Sequence, residues 1–201
     1  RSCGRVRPVA GSVVLPDGTR PRSLRHAIAH GVAFVPGDRK RLGLMLDKTA
    51  WENVVTVSWL GLDRGGYMEH RRRLVDRAEK HFARLRIRGT VGSIVSDLSG
   101  GNQQKVVFAK WLDAGPSVVV LDDPTRGVDV GARAEMHSVI RDFAEAGKVV
   151  VVASSDLAEL VEVCDRVLVF QHGTIVDELA GSRLDERALS IAMNAGFADA
   201  R

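Results

Sequence analysis

Two runs, SVVVLDD (Ser117 to Asp123) and KVVVVASS (Lys148 to Ser155), constrain this chain more than any other feature in it. Each strings apolar, mostly β-branched residues together without the polar alternation of a strand that has one wet face. Branching at Cβ stiffens the side chain and suits a pleated surface. Both runs therefore read as strands buried on both faces. GVAFVP (Gly31 to Pro36) and RVLVFQHG (Arg166 to Gly173) read as two more strands. Helical patterns fit between them, roughly 129 to 146 with Val130, Ala134, His137 and Ile140 facing inward, and roughly 156 to 164. Such alternation predicts an α/β domain with a largely parallel sheet. His172–Gly173 followed by TIVDEL reads as a tight hairpin at the far edge of that sheet.

Between Leu44 and Ser96 the pattern turns helical. Thr49 with Glu52 three residues on forms a capping box ahead of Val54, Val55 and Val57. Leu74, Ala78, Phe82 and Leu85 mark the apolar stripe of a longer, arginine-rich helix. The chain divides accordingly into a first α/β part (1–43), a helical subdomain (44–96) and a second α/β part (97–201). Its 201 residues, 45% hydrophobic and 27% charged, suffice for one buried core. A net charge of +4, with arginines crowded at the start and at Arg71 to Arg73, reads as a solvated basic face rather than a nucleic-acid footprint. Cys3 and Cys164 are too few for a disulfide framework or a zinc site, which points to a reducing compartment. The six histidines lack metal-ligand spacing, and Trp51, Trp59 and Trp111 read as packing residues. With neither a long apolar run nor a signal-peptide pattern, the expectation is a soluble, cytosolic chain.

Two motifs carry chemistry. In DLSGGNQQKVVFAKWL (Asp97 to Leu112), a serine and paired glycines open a helix. Its free N–H groups form the positive end of the helix, which an anion can approach closely. In VVVLDDPTRGVD (Val118 to Asp129), a buried strand ends in two carboxylates, at the end where open α/β sheets bind ligands. Asp122 suits Mg²⁺, a hard cation held by oxygen. Asp123 is placed to orient an attacking water for phosphoryl transfer. Either motif alone is also ordinary capping or turn chemistry; their succession at this spacing points to nucleotide.

These residues resemble a known family. LSGGNQQK is similar to the signature motif of ABC-transporter ATPase domains, LDDPTRG to their Walker B strand, and Arg126 to Asp129 to their D-loop. With PGDRKRLGL (Pro36 to Leu44), the finer resemblance is to the second half of the tandem ATPase subunits of bacterial sugar importers, over about residues 6 to 194. It implies a P-loop NTPase-like ABC ATPase core with an inserted helical subdomain, and ATP and Mg²⁺ as cofactors. ATP sites of that family form between two domains placed head to tail. Ser99, Gly100, Gly101 and Asn102 would thus touch a γ-phosphate held by a second ATPase domain, with Asp129 beside them. Transmembrane permease subunits would contact the helical subdomain at the cytoplasmic face of the membrane, and a sugar-binding protein would take part indirectly. The nucleic-acid branch of the family inserts long heptad coiled coils, which are not found here, so no nucleic-acid partner is expected.

The resemblance also exposes departures. Nothing in the sequence reads GxxxxGK, and GRVRPVAG and LPDGTRP are turns. The expectation is a core truncated at its N-terminus, before the phosphate loop, whose sheet would present an apolar edge. Gly37 stands where the family's Q-loop glutamine falls. Asp123 takes the place of the catalytic glutamate, which shortens it by one C–C bond, roughly 1.5 Å. A misplacement near 1 Å can cost about 10²-fold in rate. Ser155 replaces the switch histidine and cannot titrate near neutral pH. These features predict a half-site that completes a partner but is inactive alone. The alternative is an ordinary ATPase whose Walker A segment lies outside these residues.

Overall fold

The computed structural model describes residues 11–15, 17–59 and 71–195, so Cys3, His70 and the arginines at 1, 5 and 7 lie outside the described residues. Strand β1 (Val32–Val35) runs parallel to β2 (Val118–Asp122), with Val32 opposite Val118 and Val35 opposite Leu121. Strand β3 (Val149–Ala153) follows in the order β1-β2-β3. Ala33, Val35, Val119 and Leu121 alternate onto one face and are almost wholly buried. On the other face Val118 and Val120 pack against Leu15, Ala27 and Val32. The expectation of burial on both faces therefore holds for β2 but not for β3, where Val149 and Val151 are 57% and 48% exposed. Among the described residues, nothing covers that face of β3.

Helix α1 (Leu24–Ala29) starts at Ser23, whose hydroxyl accepts from the His26 N–H at 3.1 Å. Helix α2 (Ala50–Trp59) opens on the predicted capping box. Glu52 Oε2 accepts from the Thr49 N–H at 2.9 Å, and Thr49 Oγ1 accepts from the Glu52 N–H at 3.5 Å. Helix α3 (Arg71–Arg84) buries Leu74, Ala78 and Phe82, with Leu85 just beyond its end, as its stripe predicts. Helix α4 (Gly100–Ala114) packs against both and ends at Gly115, where φ is +63°. Trp111 is buried, but Trp59, at the last position of α2, is 53% exposed.

Helix α5 (Val130–Glu145) buries Met136, His137, Val139, Ile140 and Phe143. Val130 and Ala134 face outward, contrary to expectation. Its first turn meets α4 through Ala132, which lies 3.0 Å from where a side chain on Gly101 would begin. Residues two positions either side of Ala132 are rotated about 200° away and point to solvent.

The chain divides into two compact units, Arg1–Val151 and Val152–Arg201. In the second unit, α6 (Leu157–Val163), the antiparallel pair β4 (Arg166–Gln171) and β5 (Thr174–Ala180), and α7 (Glu186–Ala195) share a core of Leu160, Val167, Val169, Leu179, Leu189 and Ala192. The hairpin forms at His172–Gly173, with φ of +48° and +83°. Positive φ at both central residues matches the right-handed twist of the flanking strands. Among the described residues β4 and β5 make a two-stranded sheet of their own, not an edge of β1-β2-β3. Their apolar alternation is satisfied by α6 and α7, which cover Val167, Val169 and Leu179.

Candidate functional site

The start of α4 is built from the signature residues themselves. Ser99 is the N-cap, and its exposed Oγ accepts from the Asn102 backbone N–H at 3.4 Å and from Asn102 Nδ2 at 3.0 Å. A hydroxyl that accepts twice has its own O–H to donate outward. Asn102 turns back toward the chain, where its Oδ1 accepts from the Arg88 N–H at 2.9 Å. It acts on the serine's orientation and on the preceding loop.

The polar run that follows is buried, which the sequence pattern did not reveal. Gln103 and Gln104 are 5% and 2% exposed, and Lys105 is 4%. Gln103 Nε2 donates to the carbonyls of Val95 and Leu98 at 3.1 and 3.0 Å, closing the turn that leads into α4. Gln104 Nε2 donates to Pro124 O at 2.8 Å, fastening α4 to the loop after β2. Lys105 Nζ donates to Arg86 O at 3.1 Å and pairs with Glu135 of α5. Most buried polar groups are hydrogen-bonded, and these bonds fix the helix start from beneath.

The two glycines prove to be packing positions. A Cβ on Gly100 would lie 2.8 Å from Arg39 Nη2, and one on Gly101 would lie 3.0 Å from the Ala132 methyl. Asp129 caps α5 through Oδ1, which accepts from the Ala132 N–H at 2.9 Å, and its Oδ2 lies 3.6 Å from the Gly101 Cβ position. The signature turn and Asp129 are therefore neighbours.

Asp122 ends β2 with its carboxylate exposed. Asp123 follows in the left-handed region at φ +42°, a conformation Asp tolerates better than most residues. Gly37 sits against both: a Cβ there would come within 3.0 Å of Asp122 O and 3.6 Å of Asp123 Cβ. A side chain at position 37 would therefore press on the Asp122 carbonyl unless that backbone shifts by a few tenths of an ångström. Ser155 is exposed, just ahead of the α6 N-cap Asp156, in the second unit. Among the described residues no group of three or more His, Cys, Asp or Glu is arranged to hold a metal ion. Asp122, exposed at the end of β2, presents carboxylate oxygens of the kind a hard cation such as Mg²⁺ takes.

A small cleft of about 130 Å³ is lined by residues 41–45, Asn53, Thr56 and Lys110. Lys110 Nζ donates to Gly43 O, and burial pulls its pKa down to about 8. Leu42 and Met45 expose apolar surface along the rim. One turn on from Lys110, near the end of α4, Asp113 gathers Ser58, Arg77 and His81. Burial alone would raise this carboxyl, but hydrogen bonds from His81, Arg77 and Ser58 and the Arg77 charge hold it below the usual carboxylate range.

A parallel αβ sheet with a helical insertion, a serine-capped helix start beside a capping aspartate, and two carboxylates ending the central strand define an ATP-binding cassette. The chain belongs to the ABC transporter family, whose model matches residues 2–126. It is similar to the ribose import ATP-binding protein RbsA 1 of Rhizobium etli (41% identical over 201 residues, covering 96% of this chain and 38% of that protein). RbsA 2 of Agrobacterium fabrum is 44% identical over 181 residues (89% and 36%), and the arabinose import ATP-binding protein AraG 2 of Burkholderia ambifaria is 40% identical over 189 (92% and 36%). The chain thus spans well under half the length of these relatives. Among solved structures it is similar to an ATP-binding cassette of an ABC transporter in its ADP conformation, with TM-score 0.79, 17% identity, and 100% and 81% of the two chains covered. A dimeric cassette in a post-hydrolysis state gives TM-score 0.71 at 24% identity, covering 87% and 75%. The fold is that of ABC ATPase cassettes.

Proposed function

We propose that this chain is part of the ATP-binding component of a sugar importer, and that its task is to complete an ATP site held by a second ATPase domain. The observation that carries this reading is the build of the α4 start. Ser99 presents an exposed hydroxyl at a helix N-terminus, held from beneath by buried glutamines, while no stretch of these residues reads GxxxxGK. The names of the relatives, ribose and arabinose import proteins, support sugar as the cargo class.

In this reading the Ser99 hydroxyl and the N–H groups of Gly100 and Gly101 receive the γ-phosphate of nucleotide bound by the partner domain. Asn102 orients Ser99, and Asp129 steadies the adjoining turn. Asp122 would hold Mg²⁺, which when bound neutralises charge on the phosphate oxygens. Asp123 orients water, less effectively than a longer carboxylate, and Ser155 supplies a hydroxyl rather than a titrating imidazole. The cleft at residues 41–45 with its apolar rim receives a segment of a membrane permease. No helix among the described residues is long and apolar enough to cross a membrane, and we place the chain peripherally on the cytoplasmic face.

Titration calorimetry of Mg-ATP into this chain alone, with an ATPase assay in parallel, tests the reading. The expected result is no binding at millimolar nucleotide and no turnover. Micromolar binding, or turnover above background without a partner, overturns it.

A further inference from the structure

Residues 37 to 39 lie against the loop after β2 at two points. Gly37 lies against the Asp122 carbonyl and the Asp123 Cβ, as described above. Arg39, two residues on, donates from Nη1 to Arg126 O at 2.9 Å and from Nη2 to Gly127 O at 3.4 Å. The same Nη2 is 2.8 Å from the Gly100 Cβ position, and Gly127 O is 3.5 Å from it. The guanidinium plane therefore fills the space between the first residue of α4 and the loop carrying Asp123 and Asp129. Among the described residues its hydrogen bonds go to backbone carbonyls, Asp38 is the one acidic group acting on its charge, and its Nε is buried without a hydrogen-bond partner. Burial pulls the guanidinium's pKa down, a sign that the ion is held in a confined place.

We propose that Arg39 is a positioning residue for the ATP-dependent step, a strap that sets the signature turn in fixed register with the loop bearing Asp123 and Asp129. This rests on the proposed function. A planar fork that donates to two successive carbonyls fixes both at once, which a lysine ammonium, a single point of donation, does not reproduce. The strap also explains Gly100, since any side chain there displaces the guanidinium. Because Arg39 touches backbone and not nucleotide, its loss acts on turnover rather than on nucleotide affinity.

The test uses the complete ATP-binding protein assembled with its membrane partner. R39K, which keeps charge and bulk, and R39A are each expected to lower kcat about 10- to 100-fold, the range set by misplacement near 1 Å. KM for ATP should stay within about threefold. G100A should lower kcat by a similar factor in the wild type, yet add little in an R39A background, where no guanidinium remains to displace. Unchanged kcat in R39K and R39A overturns the strap. So does a fall in thermal midpoint without a fall in kcat, or multiplicative effects of G100A and R39A, which would mean that a side chain at position 100 acts independently of the guanidinium. A wild-type assembly that does not turn over ATP overturns the functional reading, and this role with it.

Discussion

Asp113 offers the sharpest test of how the helical part holds together. Its side chain is 3% exposed and receives Ser58 from α2, Arg77 and His81 from α3, while itself belonging to α4. Arg77 Nε and His81 Nε2 both lie 3.1 Å from Oδ1, and Arg77 Nη2 also donates to Oδ2. One carboxylate therefore joins three helices. In D113A these donors lose their acceptor and a guanidinium loses its counter-charge. Breaking a buried pair costs about 3–5 kcal/mol. Arg77 is 29% exposed and recovers some hydration, which puts the expected loss near the lower end, about 3 kcal/mol. For a chain of this size that corresponds to roughly 6–12 °C in thermal midpoint. Urea titration of wild type, D113A and D113N measures it, with D113N intermediate because the amide keeps one acceptor. The sign of the pH effect follows from the depressed folded pKa. The contribution is fully present above the unfolded value of about 3.9 and is lost as pH falls through the folded value. The gap between wild type and D113N should therefore close in acid. A D113A loss below about 1 kcal/mol, or a gap that widens in acid, refutes the argument.

Two further outcomes follow from the same physics. G101A drives a methyl into Ala132 at 3.0 Å and should destabilise by about 1–3 kcal/mol; pairing it with A132G should restore much of that, as read by urea midpoints. Lys110 has a folded pKa of about 8 against about 10.4 unfolded, so between those values the unfolded chain binds more protons and stability rises with pH; K110M should flatten that rise in melts taken across pH 7.5 to 10.5.

What the sequence determined by itself was whatever depends on local pattern. The strands, the capping box at Thr49 and Glu52, the stripe at Leu74, Ala78 and Phe82, and the His172–Gly173 turn are each specified within a few residues, by periodicity, by a reciprocal hydrogen bond or by a required φ. The signature and strand-end carboxylates were legible for the same reason, since their spacing along the chain is part of the motif. Three-dimensional neighbours decided the rest. Gln103, Gln104 and Lys105 are a polar run with no local sign of burial, yet they are buried because carbonyls of Val95, Leu98, Pro124 and Arg86 accept from them. Arg39 was one arginine of PGDRKRLGL until its 87-residue reach to Arg126 was seen. Val130 and Ala134 look inward by period and face outward, because Ala132 takes the contact with Gly101. The valines of β3 read as core and lie open on one face. Local pattern fixes which face of an element is apolar, but burial is a property of whatever is packed against that face, and partners distant in sequence leave no trace in the pattern itself.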